Sequence, residues 1–502
     1  MKQRGRLARM TKLLTLAGFV ERRQGRLPRV RVVRALTWGA AMLGAIVRLV
    51  RFARAASLRP QIPRKIVQVN TGGFGDRQNC YAWSMAWFKG KLYVGTARNL
   101  LCVERATLDF YVPEWNLYST PPIRADIPCP SNPYDLDLRA EIWRYTPETT
   151  AWERVYRSPD DLPNPKAPSK FVARDIGFRE MVVFPEPDGT EALYVAGVTA
   201  REHIPGLPPP RILRSTDGET FKPIPQEPGT FLGDLDAVGF RAMAVHRGRL
   251  YVTASTSLLG DGMILEATSP AEGNDHFRQV SLPDLKAFEL AVFNDFLYVG
   301  AGDATRGYSV WKTDATGTPP YRFLPVVTDG AGRGATVVSV VSMHPFQGRL
   351  YVGSNGWYPQ QILRSELIRI NPDDTWELVV GRRRQTSQGE KIPISGLMDG
   401  FGNPFNVHFW RMQEHEEALY LGTNDASWGL DMLPRLDRLI RAEYGFDLWM
   451  SVNGKDWGQI TANGFGDKFN FGARTFASTP FGLFLGSANH VSGTEVWLIT
   501  AP

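Results

Sequence analysis

A short motif built around Leu-Tyr-Val-Gly recurs seven times and constrains the fold more than any other feature of the chain. The copies are GKLYVGT (90–96), EALYVAG (191–197), GRLYVTA (248–254), DFLYVGA (295–301), GRLYVGS (348–354), EALYLGT (417–423) and GLFLGS (482–487). An apolar segment of strand length precedes each copy, and a second strand pattern such as RILRS (211–215) follows most of them. Each repeat therefore predicts about four short antiparallel strands.

Units of four strands bury their flat faces only against neighbouring units, so a series of them must close on itself. The period is similar to the roughly 50 residues of kelch-type repeats. We predict an all-β, seven-bladed β-propeller over residues 61–502, with insertions near 100–138 and 429–444. Only three strands fit after the last motif, whereas KIVQV (65–69) is a spare strand before the first unit. The N-terminal strand is therefore expected to pair with EVWLI (495–499) in the last blade; six or eight blades are the alternative counts.

Two turn segments resemble the Asp-box repeat, S-x-D-x-G-x-x-W, of sialidase-like propellers. They are Ser215-Thr-Asp217-Gly218-Glu-Thr-Phe221 and Ser451-Val-Asn453-Gly454-Lys-Asp-Trp457, each with one residue fewer between Ser and Gly. In that family the box is a structural turn remote from the active site, so the resemblance implies fold and not catalysis. The whole unit, with GFGD before the inner strand, also resembles a broad group of uncharacterised bacterial propeller proteins.

The N-terminal arm, residues 1–60, differs in composition from the rest of the chain. It contains fifteen Lys and Arg residues and one acid, Glu21, so it carries a charge of +14 and leaves −7 on the remaining 442 residues. An acidic body disfavours nucleic-acid binding. The arm also contains the longest uncharged apolar run, ALTWGAAMLGAIV (35–47), which continues into three arginines at helical spacing. This pattern predicts an apolar helix whose arginines reach lipid headgroups.

We therefore expect the arm to lie on a membrane or to dock on an integral membrane protein complex. The residues expected to contact the membrane are Trp38, Leu43, Ile46, Arg48, Leu49, Arg51, Phe52 and Arg54. As a helix the apolar run would span about 20 Å, less than the roughly 30 Å of a bilayer core. A signal anchor extending through Phe52 and a signal peptide cleaved near Ala53-Arg54-Ala55 are the alternatives. The side of the membrane is open, with the cytoplasmic side favoured.

The three cysteines, Cys80, Cys102 and Cys129, have neither CxxC spacing nor histidines at zinc-finger distances. Such cysteines suit a reducing compartment, so no structural disulfide is expected. A Cys102–Cys129 bridge inside the first insertion is the alternative.

One position in each innermost strand is expected to face the central channel. It is occupied by Trp83, Arg179, Arg241, Phe288, Val341, Trp410 and Arg474. Together with the adjacent Arg411, these arginines predict a guanidinium cluster suited to a carboxylate or phosphate. The alternative is that GFR (177–179 and 239–241) is a packing motif whose arginines pair with acids such as Asp175 and Asp236.

Loops at the face where the motif strands end supply the other candidate ligand-binding residues: Asp467, Asn424, Trp357 and Trp428. Sialidases hold a carboxylate with an arginine triad and also need a Tyr–Glu nucleophile pair and an acid. Tyr81, Glu180 and Glu289 lie near inner strands, but the sequence does not fix the distances between them. No GxxxxGK[ST], HExxH or GxSxG motif occurs and the histidines are single, so we predict neither a metal nor a cofactor.

These observations favour a non-catalytic propeller that serves as an interaction scaffold, held at a membrane by its arm as an accessory subunit of a membrane complex. The first alternative is a sialidase-like hydrolase or lyase that acts on an acidic glycan at the arginine-lined channel. The second alternative is a binding protein for a small anionic ligand at the same place.

Overall fold

The computed structural model describes residues 64–111, 127, 129–130, 135–165, 167–202, 204–257, 262–356, 365–430 and 444–501. The N-terminal arm, residues 1–60, with its predicted helix lies outside these residues, as does most of the insertion near 429–444. The longest described helix is Leu100–Tyr111, and a four-residue turn of helix covers Asp329–Gly332. Short 3₁₀ segments cover Gly72–Gly75, Ala200–Glu202, Pro270–Glu272, Asn274–His276, Gly334–Thr336, Asp399–Gly402, Ala426–Leu430 and Gly464–Gly466.

Antiparallel units follow one another along the described chain. Unit 1 consists of Asn79–Phe88, Lys91–Arg98, Glu141–Thr146 and Ala151–Arg157. Unit 2 consists of Gly177–Pro185, Glu191–Val198, Ile212–Ser215 and Lys222–Pro223. Unit 3 consists of Gly239–His246, Arg249–Ser255, Gly262–Ala267 and Arg278–Gln279. Unit 4 consists of Ala287–Phe293, Phe296–Ala301, Ser309–Thr313 and Leu324–Val327.

The remaining units have the same order of strands. Unit 5 consists of Val337–Phe346, Arg349–Gly356, Leu367–Ile370 and Trp376–Val380. Unit 6 consists of Asn406–His415, Ala418–Asp425, Leu448–Ser451 and Gly458–Thr461. Unit 7 consists of Gly472–Thr479, Gly482–Ala488 and Val496–Thr500. Two hairpins lie between units, one formed by Leu162–Asn164 with Ala167–Val172 and the other by Arg384–Thr386 with Gly389–Lys391.

The N-terminal strand Lys65–Gln68 supplies the fourth strand of unit 7. It pairs antiparallel with Val496–Thr500, with Val67 opposite Leu498. The pairing predicted between the two ends of the chain is therefore confirmed. The first strands of consecutive units pack side by side, and the first strand of unit 7 packs against that of unit 1. The result is a large, nearly closed β-propeller whose first strands surround the centre.

The core lies between neighbouring units, where the repeated motif is buried. Its leucine and valine, for example Leu92 and Val94, are completely inaccessible to solvent. The motif tyrosine is also buried, and its hydroxyl meets a polar partner, as when Tyr251 donates to Glu266 at 2.7 Å. Each unit thereby buries both faces of its sheet, as the stacking of units requires.

A three-part contact fixes the GFG loop that enters the first strand of unit 1. Gly73 and Phe74 both have positive φ, and Phe74 stacks on Trp143 with ring centroids 4.8 Å apart. Asn79 donates to the Gly73 carbonyl and to Glu141, and Glu141 also accepts the Trp143 indole N–H. Units 6 and 7 repeat this contact with Gly400, Phe401, Asn406, Asp447 and Trp449, and with Gly464, Phe465, Asn470, Glu495 and Trp497. The GFG loops are thus structural elements that stabilise the turns leading into the first strands of these units.

Candidate functional site: an arginine-lined channel

A β-bulge displaces the pairing of every first strand at the same position. The register shifts between Phe178 and Glu180, for example, so that Arg179 is the bulged residue of its strand. Equivalent shifts occur at Trp83, Arg241, Phe288, Val341, Trp410 and Arg474. Bulges bend a strand and re-aim the side chain that they carry. The bulge positions are the ones that the sequence assigns to the channel, and we call these seven residues the ring.

Glycines make room for the tryptophans of the ring. A Cβ atom on Gly177 would lie 2.1 Å from the Trp83 ring, so only glycine allows the indole to pack against that strand. Two residues later, the guanidinium of Arg179 lies over the same indole, 5.1 Å from its centroid. The tryptophan is therefore held between the glycine and the arginine of the next unit, with a cation–π contact on one face.

The same arrangement joins units 6 and 7. A Cβ atom on Gly472 would lie 2.1 Å from the Trp410 ring, and Arg474 lies over that ring at 5.1 Å. The third ring arginine, Arg241, lies over Phe288 of unit 4 at 4.9 Å. All three arginines occur in the sequence pattern G-x-R at the start of a first strand.

Arg411 follows the ring position of unit 6 and crosses the channel. Its guanidinium donates to Glu180 of unit 2 at 2.7 Å and to Glu289 of unit 4 at 3.3 Å. Both carboxylates also immediately follow a ring position. The two glutamates raise the pKa of Arg411, whereas burial and the neighbouring Glu289 raise the pKa of Glu180. We call these three residues the ion-pair floor.

Arg241 and Arg474 differ from Arg411 because neither has a hydrogen-bond or ion-pair partner in the described part of the chain. The Nε atom of each is buried without an acceptor, and Arg474 is only 5% exposed. Burial is the main cause that lowers the pKa of both guanidiniums, and the charge of Arg411 lowers it further. Since an arginine seldom loses its proton in a protein, this unfavourable charge is available to bind an anion.

Aromatic side chains and histidines form the rim above the ring. Tyr81 lies 5.4 Å from His490, which stacks on Phe471 at 4.8 Å, and Trp428 stacks on Phe471 at 5.4 Å. Burial lowers the pKa of His490 to about 3 and that of His408 to about 4. Both imidazoles are therefore neutral near pH 7 and add no positive charge to the channel.

The helix Leu100–Tyr111 packs beside the rim. Its Leu100 and Val103 belong to the same apolar cluster as Tyr81 and Trp83. The helix also presents Glu104, whose pKa burial raises to about 7 against the opposing effect of Arg179. A carboxyl with that pKa exchanges a proton near neutral pH.

A disulfide between Cys102 and Cys129 fixes this helix, and the expectation of no structural disulfide is therefore wrong. The two cysteines are 27 residues apart in the sequence, and their spacing does not reveal this contact. Cys80 is a buried free thiol whose pKa burial raises to about 12. It is thus an unreactive core residue at neutral pH.

The structure brings together the predicted arginines Arg179, Arg241, Arg411 and Arg474. The acids offered as their alternative partners bind elsewhere, because Asp175 pairs with Arg211 and Asp236 lies 3.9 Å from Arg201. In place of that pairing, the three ring arginines lie over aromatic rings, and Arg411 forms ion pairs with Glu180 and Glu289.

The predicted loop residues have separate positions. Asp467 accepts hydrogen bonds from Asn489 and Ser492 and so stabilises a turn. Asn424 lies opposite His408 near the end of its strand, and Trp428 belongs to the rim. Trp357 lies outside the described residues, as do the eight predicted membrane-contacting residues, Trp38, Leu43, Ile46, Arg48, Leu49, Arg51, Phe52 and Arg54.

Sequence reasoning missed Glu104 and the ion-pair floor. Glu104 lies in an insertion with no repeat counterpart, so no pattern marked it. The floor joins residues 231 positions apart, Glu180 and Arg411. The G-x-R pattern is a sequence signal that distinguishes the three ring arginines from Arg411. No cluster of potential metal ligands occurs within the described ranges, and no helix there is long and apolar enough to cross a membrane.

These features define the protein as a β-propeller with an arginine-lined channel. No protein-family model and no curated protein sequence matches the chain. Among solved structures, an ancestral GH74 enzyme is similar with a TM-score of 0.49 and 11% identity, over 84% of this chain and 48% of the enzyme. This chain thus spans about half the length of that enzyme. The polysaccharide lyase Uly1 has a TM-score of 0.45 and 10% identity, over 89% of this chain and 100% of the lyase.

A third similar structure is the β-propeller domain of the Trilobed protease from Pyrococcus furiosus, described as having an open velcro topology. Its TM-score is 0.40 and its identity 7%, over 83% of this chain and 94% of that domain. These are likenesses of fold alone, and the functional argument rests on the channel.

Proposed function

We propose that the protein binds an acidic glycan at the arginine-lined channel and acts on it as a hydrolase or lyase. The observation that carries this proposal is that the Nε atoms of Arg241 and Arg474 are buried at the channel and that neither guanidinium forms a hydrogen bond or ion pair with an acid among the described residues. Burying a charge costs roughly several kcal/mol unless an ion of opposite sign lies beside it. A carboxylate or other oxyanion on a sugar supplies that charge and accepts the guanidinium N–H groups.

The rim favours a carbohydrate over a free inorganic anion. Trp428, which is only partly buried, stacks on the buried Phe471 beside the channel and offers an aromatic surface there. Aromatic faces of this kind pack against the apolar faces of sugar rings, while charged groups below fix the orientation of the ligand. The arrangement provides an anionic subsite with an aromatic wall.

Two further groups support catalysis at the same place. The Tyr81 hydroxyl forms no hydrogen bond within the described ranges, and burial together with the charge of Glu104 raises the pKa of Tyr81, so the hydroxyl keeps its proton and can act as a donor. The carboxyl of Glu104, with a pKa of about 7, is suited to donate or accept a proton during cleavage of a glycosidic bond. Glu180 and Glu289 are less suited, because Arg411 already binds both.

A binding protein without turnover is the second candidate. It is favoured by the ion-pair floor, which commits two of the channel carboxylates to a structural contact. In that case Glu104 would adjust the charge of the site and take no part in chemistry.

A polysaccharide screen with matched variants tests the proposal. The purified chain is incubated with glycans that contain uronic or sialic acids, and reducing ends and unsaturated products are measured. Arg241→Met and Arg474→Met are expected to lose both binding and cleavage, whereas Glu104→Gln retains binding and loses cleavage. Arg306→Met is the control, because Arg306 is 78% exposed and pairs with Asp303.

Absence of any glycan binding by the wild type would overturn the proposal. Binding without cleavage, unchanged in Glu104→Gln, would establish the second candidate instead.

We also propose that the seven units are the seven blades of the propeller and that the arm, residues 1–60, holds it at a membrane. The seven consecutive units and the pairing of Val67 with Leu498 support the blade count. The charge of +14 and the apolar run support the location of the arm. On this proposal the arm keeps the glycan site close to a membrane surface, and a protein without the arm retains the site.

A further inference from the structure

Tyr81 lies between two tryptophans of the ring, and each of these tryptophans carries an arginine. The Tyr81 ring centroid is 6.0 Å from that of Trp83 and 6.1 Å from that of Trp410. Arg179 lies over Trp83 and Arg474 lies over Trp410, each at 5.1 Å. Burial raises the pKa of Tyr81, and the charges of both arginines oppose that shift. An anion bound by these guanidiniums would therefore lie close to a protonated phenol.

Glu104 approaches the same place from the helix Leu100–Tyr111. Val103 of that helix packs in the apolar cluster that contains Tyr81. Burial raises the pKa of Glu104 to about 7, and the charge of Arg179 opposes the shift. Neither Glu104 nor Tyr81 forms a hydrogen bond within the described ranges. Both groups are therefore available to exchange a proton with a ligand.

The charge of the channel suits a single carboxylate. Four positive charges against three negative charges leave +1 when the described side chains at the channel are all ionised, namely Arg179, Arg241, Arg411 and Arg474 with Glu104, Glu180 and Glu289. A uronic acid carries one carboxylate, attached to C5 of its ring. Guanidiniums beside that carboxylate would stabilise the negative charge that develops when C5 loses its proton.

We propose that the protein cleaves a uronate-containing glycan by β-elimination, with Glu104 as the base and Tyr81 as the acid. This inference rests on the proposed function and names its reaction and substrate class. Glu104 takes the proton from C5 of the uronate, and that electron pair forms a double bond between C4 and C5. The bond from C4 to the glycosidic oxygen breaks, and the oxygen leaves with the neighbouring sugar and takes the proton of Tyr81. No water is consumed, and both side chains regain their starting protonation by exchange with solvent.

Hydrolysis needs groups that the described part of the channel does not offer. Most glycosidases use two carboxyl groups. Arg411 already binds Glu180 and Glu289, which leaves Glu104 as the one described channel carboxyl without an arginine hydrogen bond. A tyrosine nucleophile would need a base bonded to its hydroxyl and a separate acid, whereas Tyr81 keeps its proton. Elimination needs one base and one acid only.

The products formed from a polyuronate linked through O4, such as alginate, test the reaction class. The purified full chain is incubated with the polymer, and unsaturated ends, reducing ends and product masses are measured. Elimination is expected to give one unsaturated end for each new reducing end, whereas a hydrolysis product is heavier by one water. The methyl-esterified polymer is the matched control, because it keeps the C5 proton but has no charge for the arginines. It is expected to resist cleavage, and its cleavage at the wild-type rate would overturn the role of the carboxylate.

Two substitutions test the assigned groups. Glu104→Gln and Tyr81→Phe each remove one proton-transferring group, which is expected to lower kcat at least about a hundredfold with little change in KM. Tyr145→Phe is the control, because Tyr145 is also buried and its hydroxyl also forms no hydrogen bond within the described ranges. A melting curve reports the folding of each variant, and if one fails to fold, the products of the wild type still decide the reaction class.

The pH profile gives a readout that a structural role would not change. Glu104 must be ionised to accept a proton, so kcat is expected to rise as the pH passes about 7. Arg179 stays charged, and Tyr81 and Cys80, which also face this place, stay protonated near that pH. A kcat that does not change between about pH 6 and pH 8 would refute the role of Glu104.

The outcomes separate this inference from the proposed function. New reducing ends without unsaturated ends would retain the glycan-cleaving function and refute elimination. Binding of glycans without cleavage of any would refute elimination and leave a binding protein. Failure of every acidic glycan to bind would refute both proposals. Elimination that continues at the wild-type rate in Glu104→Gln and Tyr81→Phe would refute the assignment of the two groups.

Discussion

Removing the guanidinium of the ion-pair floor is expected to destabilise the protein strongly. In Arg411→Met, Glu180 and Glu289 keep their buried positions but lose their shared cation. Their side chains are 19% and 7% exposed, so water replaces the lost contacts only in part. Breaking a buried ion pair by removal of one partner costs about 3–5 kcal/mol. Because the floor is partly hydrated, we expect a loss of about 3 kcal/mol in the free energy of unfolding.

The loss should depend on pH in a definite direction. Burial already raises the pKa of Glu180 in the folded protein, and loss of Arg411 raises it further. A carboxyl whose folded pKa exceeds its unfolded pKa favours the folded state when it is protonated, and this contribution disappears as the pH rises. The destabilisation is therefore expected to be largest at about pH 8 and to decrease toward about pH 5.

Denaturant unfolding followed by tryptophan fluorescence measures both effects, and a single transition at two wavelengths checks that the analysis is valid. The triple variant Glu180→Met, Glu289→Met, Arg411→Met is the control, because it removes all three charges. Its free energy of unfolding is expected to lie within about 1 kcal/mol of that of the wild type. An Arg411→Met variant as stable as the wild type would refute the proposed role of the ion-pair floor. A loss of unfolding free energy that grows as the pH falls would refute it as well.

Three other predictions concern the framework of the site. Gly472→Ala places a Cβ atom against the Trp410 ring and is expected to cost about 2 kcal/mol in the free energy of unfolding and to lower the affinity for an acidic glycan; unchanged affinity would show that the ring position of Trp410 does not affect ligand binding. Cys102→Ser opens the loop closed by the disulfide and is expected to cost about 3 kcal/mol in denaturant unfolding under oxidising conditions, with no effect under reducing conditions. Deletion of residues 1–63 is expected to abolish sedimentation with anionic vesicles without changing the melting temperature, whereas deletion of residues 1–70 also lowers the melting temperature because it removes the closing strand. Continued sedimentation of the shorter deletion would remove the arm from membrane binding.

The strand pattern of the fold could be predicted because burial repeats with the sequence. Leu92 and Val94 occupy alternate positions of one motif, and both are completely buried between units. The pairing of Val67 with Leu498 could be predicted because an incomplete last unit requires a strand from elsewhere. Both inferences use local periodicity and a count of strands, which are properties that a sequence displays directly.

The candidate site could be predicted only in part, because its contacts cross the centre of the propeller. The ring position recurs in each unit, so the places of Arg241 and Arg474 followed from alignment of the repeats. The bond of Arg411 to Glu180 joins units 6 and 2, and no periodic signal links residues on opposite sides of a channel. Glu104 lies in a helix of an insertion that has no counterpart in other units, so repetition gave no information about it.

The ring itself shows that its arginines are not required by the fold. Every first strand has a bulge at the ring position, and the residues that occupy it include Trp83, Phe288 and Val341 as well as arginine. The architecture therefore accepts uncharged side chains there, and a guanidinium at the same place costs the free energy of burying a charge. Arg474 bears that cost without a hydrogen bond or ion pair to an acid in the described structure. A side chain that the fold does not need, placed where its charge is unfavourable, gains a physical reason when an anion occupies the channel.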